Sequence, residues 1–148
     1  MIPTPITAHF TLEELCASDT AKARGISNKP NTQQTVNLVY LAAYVLEPLR
    51  KAMGEPIKIG SGFRSQALNK AVGGVQNSQH LKGQAADLCI DGNIAKGKKW
   101  FAYIKNHLPF DQLIWEHNEK GNYWVHVSFV FPDFGKNRRQ VIDNLLKK

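Results

Sequence analysis

The segment Gln84-Ala85-Ala86-Asp87-Leu88-Cys89-Ile90 constrains this chain more than any other. It reads as a buried β-strand with one carboxylate at its centre, ended by the turn signal Asp91-Gly92. An ionised carboxylate is costly to bury unless a partner compensates it. The fold must therefore bring Asp87 a cation, or groups able to hold one. Gly83, Ala85 and Ala86 are small and let neighbouring backbone approach closely.

Two of the five histidines have settings that suit this need. His80 lies in Ser78-Gln79-His80-Leu81-Lys82-Gly83, within a predicted loop over Gln76–Gly83 that leads into the Asp87 strand. His126 lies in Tyr123-Trp124-Val125-His126-Val127-Ser128-Phe129, a predicted strand. Period-2 alternation there puts Trp124, His126 and Ser128 on one face, with Tyr123, Val125, Val127 and Phe129 on the other. Catalytic zinc sites take three protein ligands of these types and keep one position open. His80, Asp87 and His126 are the candidate ligands of one Zn2+ ion.

A general base must stand beside the reacting water. Phe110–His117 and Tyr123–Phe129 read as two strands joined by a short polar turn, Asn118 to Asn122. Such a hairpin brings Glu116 across from the His126 region. Glu119, the competing carboxylate, falls in the turn. Arg64 follows Ser61-Gly62-Phe63 and can hold a carboxylate bidentately or stabilise an oxyanion. Ser78 and Ser128 are candidate hydrogen-bonding partners of a substrate or ligand, and Trp124 a candidate cleft wall.

The rest of the chain predicts one α+β domain over residues 1–148, a small antiparallel sheet flanked by helices. Thr11-Leu12-Glu13-Glu14 and Asn31-Thr32-Gln33-Gln34 read as capping boxes that open helices. The second helix carries Val36, Val39, Tyr40, Ala43, Leu46 and Leu49 at helical spacing and ends at Gly54 and Pro56. Pro56–Gly60 reads as a strand, Ser65–Val72 as a short helix, Asn93–His107 as a helix, and Asn137–Leu146 as a terminal helix. The apolar region Val36–Leu49 is interrupted by Asn37 and Glu47, so no membrane span is expected. Cys16 and Cys89 form no disulfide framework and read as small buried thiols.

The N-terminal residues lack the pattern of a cleavable signal peptide. The expected protein is made in the cytoplasm and leaves, if it leaves, by a route that needs no signal. Net charge of +7 suggests an anionic partner. The basic residues are spread along the chain, with no dense run interleaved with aromatics. A nucleic-acid binder is therefore not expected; it would leave Asp87 unexplained.

Ser78-x-His80-x-x-Gly83-x-Ala85-x-Asp87 resembles the SxHxxGxAxD signature of the M15 peptidases. Ser61-Gly62-Phe63-Arg64-Ser65 is similar to that family's SG[YF]RS segment, and Trp124-Val125-His126-Val127-Ser128 to the segment holding its second metal histidine. The resemblance implies the same three zinc ligands, an arginine that contacts substrate, and an α+β fold shared with the Hedgehog signalling domain. It implies hydrolysis of a peptide bond in bacterial peptidoglycan stem peptides, by a D,D-carboxypeptidase or a phage-type endolysin. Such an enzyme would act on the cell wall after lytic release or as a virion component, as a monomer. Several relatives place their acid three residues before the second histidine, where this chain has Tyr123. Glu116 fills that role only through the hairpin. The alternative is a zinc-containing binding module of the same fold without catalysis.

Overall fold

The computed structural model describes residues 4–132 and 135–145. Two short helices come first, α1 (Leu12–Cys16) and α2 (Asp19–Arg24). Thr11 caps α1 by accepting from the Glu14 backbone N–H. The Glu14 carboxylate takes a backbone hydrogen bond from Thr11 in return, as the expected box requires, and Thr11 also bridges Pro5. Sequence reading missed α2, which Ser18 caps and Gly25 ends in the left-handed region at φ 64°.

The long helix forms as expected but is not uniform. It comprises α3 (Thr32–Leu41), a π-helical turn over Ala42–Leu46, and α4 (Glu47–Met53). The Asn31/Gln34 capping box is complete. Pro48 lies inside this helix, where its ring and missing N–H disturb regular α-helical bonding. The wider π turn immediately before it accommodates that defect. The buried face matches the expected one at Leu46 and Leu49 and differs before them. Leu38, Leu41, Ala42, Val45, Leu46 and Leu49 are fully buried, whereas Val39 and Ala43 are exposed. The helix carries two apolar stripes, and the one richer in leucine faces the core. Tyr40 and Tyr44 belong to the second stripe and stack on Phe131 and Phe129.

Five strands follow in one sheet of order β1-β2-β4-β3-β5. They are β1 (Lys58–Ser61), β2 (Ala85–Cys89), β3 (Gln112–His117), β4 (Tyr123–Ser128) and β5 (Gln140–Asp143). Helices α5 (Gln66–Ala71) and α6 (Ile94–His107) lie between them, with Ser65 and Asn93 as N-caps. The first four strands pair antiparallel. β5 pairs with β3 in parallel, so the sheet is mixed.

The expected helix over Asn137–Leu146 is therefore corrected: its described part carries a strand, and Leu146 lies outside the described residues. Val141 and Ile142 form an apolar pair too short to distinguish strand from helix by period. Pairing with Leu113 and Ile114 decides it.

The two sheet faces do different work. Ala86, Leu88, Val125, Val127, Leu113 and Trp115 alternate onto one face and are buried with the long helix and α6. Asp87, His126, Trp124 and Glu116 occupy the other. Gly97 of α6 packs tightly on that core: a Cβ there would lie 2.5 Å from the Trp115 ring.

Candidate metal and catalytic site

β2 pairs Asp87 with His126, and β1 pairs Ser61 with Asp87 after an irregularity at Gly60. Directly opposed residues share a face. The carboxylate is thereby set beside the His126 ring by register alone. His80 arrives from outside the sheet, on a 3-10 turn over Gln79–Lys82 rather than an open loop.

Several contacts hold that turn. The Ser78 hydroxyl accepts from the His80 backbone N–H at 3.2 Å. Gln34 donates to the Leu81 carbonyl at 3.1 Å, and Asn37 to the Lys82 carbonyl at 2.8 Å. Gly83 ends the turn at φ 73°, where a Cβ would come within 2.5 Å of the Gln34 carbonyl oxygen. Only glycine suits both the conformation and the close approach. The Asn37 that interrupts an apolar helix thus has a definite job: it docks α3 on the His80 turn. Glu47, the other interruption, is buried and pairs with His9 Nδ1 at 2.6 Å.

His80 is oriented from behind. Its Nδ1 lies 2.6 Å from the Gly62 carbonyl oxygen. A carbonyl only accepts, so Nδ1 carries a proton, and in the neutral ring Nε2 then presents a lone pair. That Nε2 faces Asp87 Oδ1 at 3.3 Å, and His126 Nδ1 faces the same oxygen at 2.9 Å. A lone pair set against a carboxylate is repulsive unless a proton or a metal cation lies between them. Burial would raise the Asp87 carboxyl, but His80 and His126 outweigh it and hold the group well below the usual carboxylate range.

The three ligand atoms lie within 4.8 Å of one another. Ligands about 2.0–2.1 Å from a tetrahedral ion are about 3.3 Å apart, so the spacing and the His/Asp/His donor set both fit zinc. The His80 side chain is 3% exposed, against 13% for His126 and 18% for Asp87. The cluster therefore opens to solvent on the Asp87–His126 side, where a fourth position would lie.

Glu116 pairs directly with Trp124 on β4, while Ile114 pairs with His126. Glu116 thus stands on the ligand face, one diagonal step from His126, a separation of about 7–8 Å between Cα atoms. It makes no hydrogen bond or ion pair among the described residues. Tyr123 is on the opposite face, with its ring edge-on to Trp115. A position three residues before His126 in a regular strand must face away from it. Glu119 sits exposed in the hairpin turn.

Arg64 lies close to this cluster. Its backbone N–H donates to the His80 carbonyl at 3.0 Å, and its Nη2 to Ser78 Oγ at 3.4 Å. Its Nε is buried without a partner. Burial lowers its pKa, and the charge of Asp87 opposes that shift. Trp124 lines a broad cleft with Gly60, Ser61, Asp87, Cys89 and Asn122.

Ser128 departs from its expected part. It is fully buried, and its hydroxyl accepts from the Gln112 N–H at 2.9 Å, so it serves the sheet rather than a substrate. The cysteines are free but only half-buried, since Cys89 reaches the cleft wall. Burial pushes the Cys16 thiol up to about 11. Sequence reading missed Gly62 as the orienter of His80. Its signal lay in its own contacts: a Cβ there would meet the Leu15 carbonyl oxygen at 2.2 Å.

Comparison with known proteins gives this geometry a family. The Peptidase M15 family matches residues 8–128, most of the chain and all of the site. The chain belongs to the peptidase M15 family. It is 38% identical over 88 residues to the zinc D-Ala-D-Ala carboxypeptidase of Streptomyces albus G. That alignment covers 57% of this chain and 32% of the relative, so the chain spans about a third of that protein's length.

Proposed function

We propose that this chain is a zinc-dependent peptidase that cleaves stem peptides of bacterial peptidoglycan. The observation that carries this reading is the His80 Nε2 lone pair, fixed by Gly62 and aimed at a buried carboxylate shared with His126. His80, Asp87 and His126 would hold the metal. A zinc ion held by them would supply Lewis acidity for acidifying water and polarising the scissile carbonyl.

Glu116 takes a proton from the attacking water and returns it to the departing amine. Its lack of any competing partner supports this role. Arg64 binds a substrate carboxylate or the developing oxyanion through its guanidinium. Ser78 holds both Arg64 and the His80 turn in place, and Trp124 walls the cleft. The substrate class rests on family membership and on the D-Ala-D-Ala carboxypeptidase activity for which the Streptomyces relative is named. The +7 charge suits work on an anionic envelope and supports a lytic, phage-type setting.

Digestion of purified sacculi, followed by mass spectrometry of the released fragments, tests the reading. Stem-peptide cleavage should appear with the wild type, stop with a chelator and return with added zinc. The fragment masses then report whether the cut is terminal or internal. A chain that holds one zinc yet releases no fragment from any muropeptide would instead be a non-catalytic zinc module.

A further inference from the structure

Asp111 is 3% exposed and charged, just before β3 begins. Its Oδ1 accepts from the backbone N–H of Arg138 at 2.8 Å and from Arg138 Nε at 3.0 Å. Its Oδ2 accepts from Arg138 Nη2 at 2.7 Å and from Gln79 Nε2 at 3.0 Å. The carboxylate can only accept, so it fixes the Gln79 amide with its NH2 group towards Asp111. The Gln79 carbonyl oxygen is buried with no partner. Asp111 is thus the whole hydrogen-bonding anchor of the Gln79 side chain.

Gln79 is the first residue of the turn that presents His80. Its backbone carbonyl accepts from the Gly83 and Gln84 N–H groups, which closes that turn. The other end of the network lies in the C-terminal segment, beyond the residues that match the family. This segment is firmly seated. Arg139 donates to the carbonyls of Lys105 and Leu108 at the end of α6, both at 2.9 Å. The Gln140 N–H donates to the Asp111 carbonyl at 2.9 Å, where β5 begins to pair with β3.

We propose that Arg138, Asp111 and Gln79 form a positioning relay that makes metal affinity depend on the C-terminal segment. The inference rests on the metal reading above. Arg138 pre-organises Asp111 through two parallel charge-assisted bonds. Asp111 then fixes the start of the His80 turn, while Gln34 and Asn37 hold its later residues. None of the three touches the metal or the substrate. Partners that stand behind metal ligands affect metal affinity by about 10–100-fold. With the other ties intact, the expected loss is at the lower end.

The test is the zinc Kd of the full chain, measured by competition with a chromophoric chelator, beside the Tm of each variant. Arg138→Ala and Gln79→Ala should each weaken zinc binding by about tenfold. The double variant should be no weaker than either single one, because both remove the same link. Arg138→Lys, which keeps charge but not the fork, should not restore full affinity.

An unchanged Kd with a lowered Tm would make the network structural only and overturn the relay. Additive losses of about 100-fold in the double variant would also overturn it, since the residues would then act separately. Should Arg138→Ala not fold, Gln79→Ala decides alone, because it leaves the Arg138–Asp111 pair intact. His80→Ala is the control: if it binds zinc as tightly as the wild type, the metal reading fails rather than the relay.

Discussion

His80 and Glu116 belong to the same proposed site but have very different surroundings. His80 is 2% exposed, with its ring nitrogen, backbone N–H and backbone carbonyl all engaged by named partners. Glu116 is half-buried near the end of a hairpin and has no hydrogen-bond partner among the described residues. The difference follows from the work proposed for each. A ligand must hold one direction and one tautomer, so the chain surrounds it with fixed donors and acceptors. A base must gain and lose a proton, and a permanent partner would bias one state. His80 is thus preorganised by hydrogen bonds, whereas Glu116, like the Asp87–His126 pair, is placed by strand register.

The largest effect should come from the ligand half. His80→Ala should abolish both zinc retention and hydrolysis, seen as loss of the metal by elemental analysis and loss of all released fragments. The loss in metal affinity should exceed the roughly 100-fold seen when partners behind ligands are removed. Retention of one zinc by this variant would break the comparison at its stronger side.

Gly62→Ala probes the same half without touching a ligand. Its Cβ would collide with the Leu15 carbonyl oxygen, and the Gly62 carbonyl that orients His80 would have to move. Overpacking of this kind costs about 1–3 kcal/mol and should lower Tm by roughly 3–10 °C, with weaker zinc binding. Asn37→Ala should cost less, about 1 kcal/mol, by leaving the Lys82 carbonyl without its donor. If neither substitution alters zinc affinity, the ligand turn does not depend on its surroundings as described.

The smallest effect is a pH dependence. Burial would raise the Asp111 carboxyl, but the Arg138 and Gln79 hydrogen bonds outweigh it and hold the group below its ordinary value of 3.8. A carboxyl depressed on folding contributes stability above its unfolded pKa and loses it as pH falls through the folded value. The Tm gap between wild type and Asp111→Asn should therefore be widest near neutrality and narrow below pH 3.8. A gap independent of pH would show that the charge of Asp111 contributes nothing.

The two halves were also unequally legible in the sequence. Asp87 in an apolar strand and His126 in an alternating one announced a shared face, and strand pairing delivered it. Glu116 was legible only as lying across a hairpin from the His126 region; the register that places it opposite Trp124 comes from strand pairing. The tertiary supports of His80 were not. Gly62, Gln34 and Asn37 act across gaps of 18 to 47 residues, and no local period encodes such contacts. Asn37 left a trace, as a polar residue in an apolar helix, but its partner could not be read. The C-terminal strand failed for a similar reason. Four residues hold too little periodicity, and parallel pairing with β3 supplies the stability. Ser128 was misread because alternation gives a face but not the depth at which a hydroxyl is buried.

Zinc content and sacculus hydrolysis, measured together on Glu116→Gln, test the central claim most directly. The account predicts one zinc per chain, as in the wild type, with hydrolysis reduced by about 10²–10⁴-fold. Undiminished hydrolysis would contradict it by removing Glu116 from the chemistry. Loss of zinc would contradict it by showing that the two halves of the site are one.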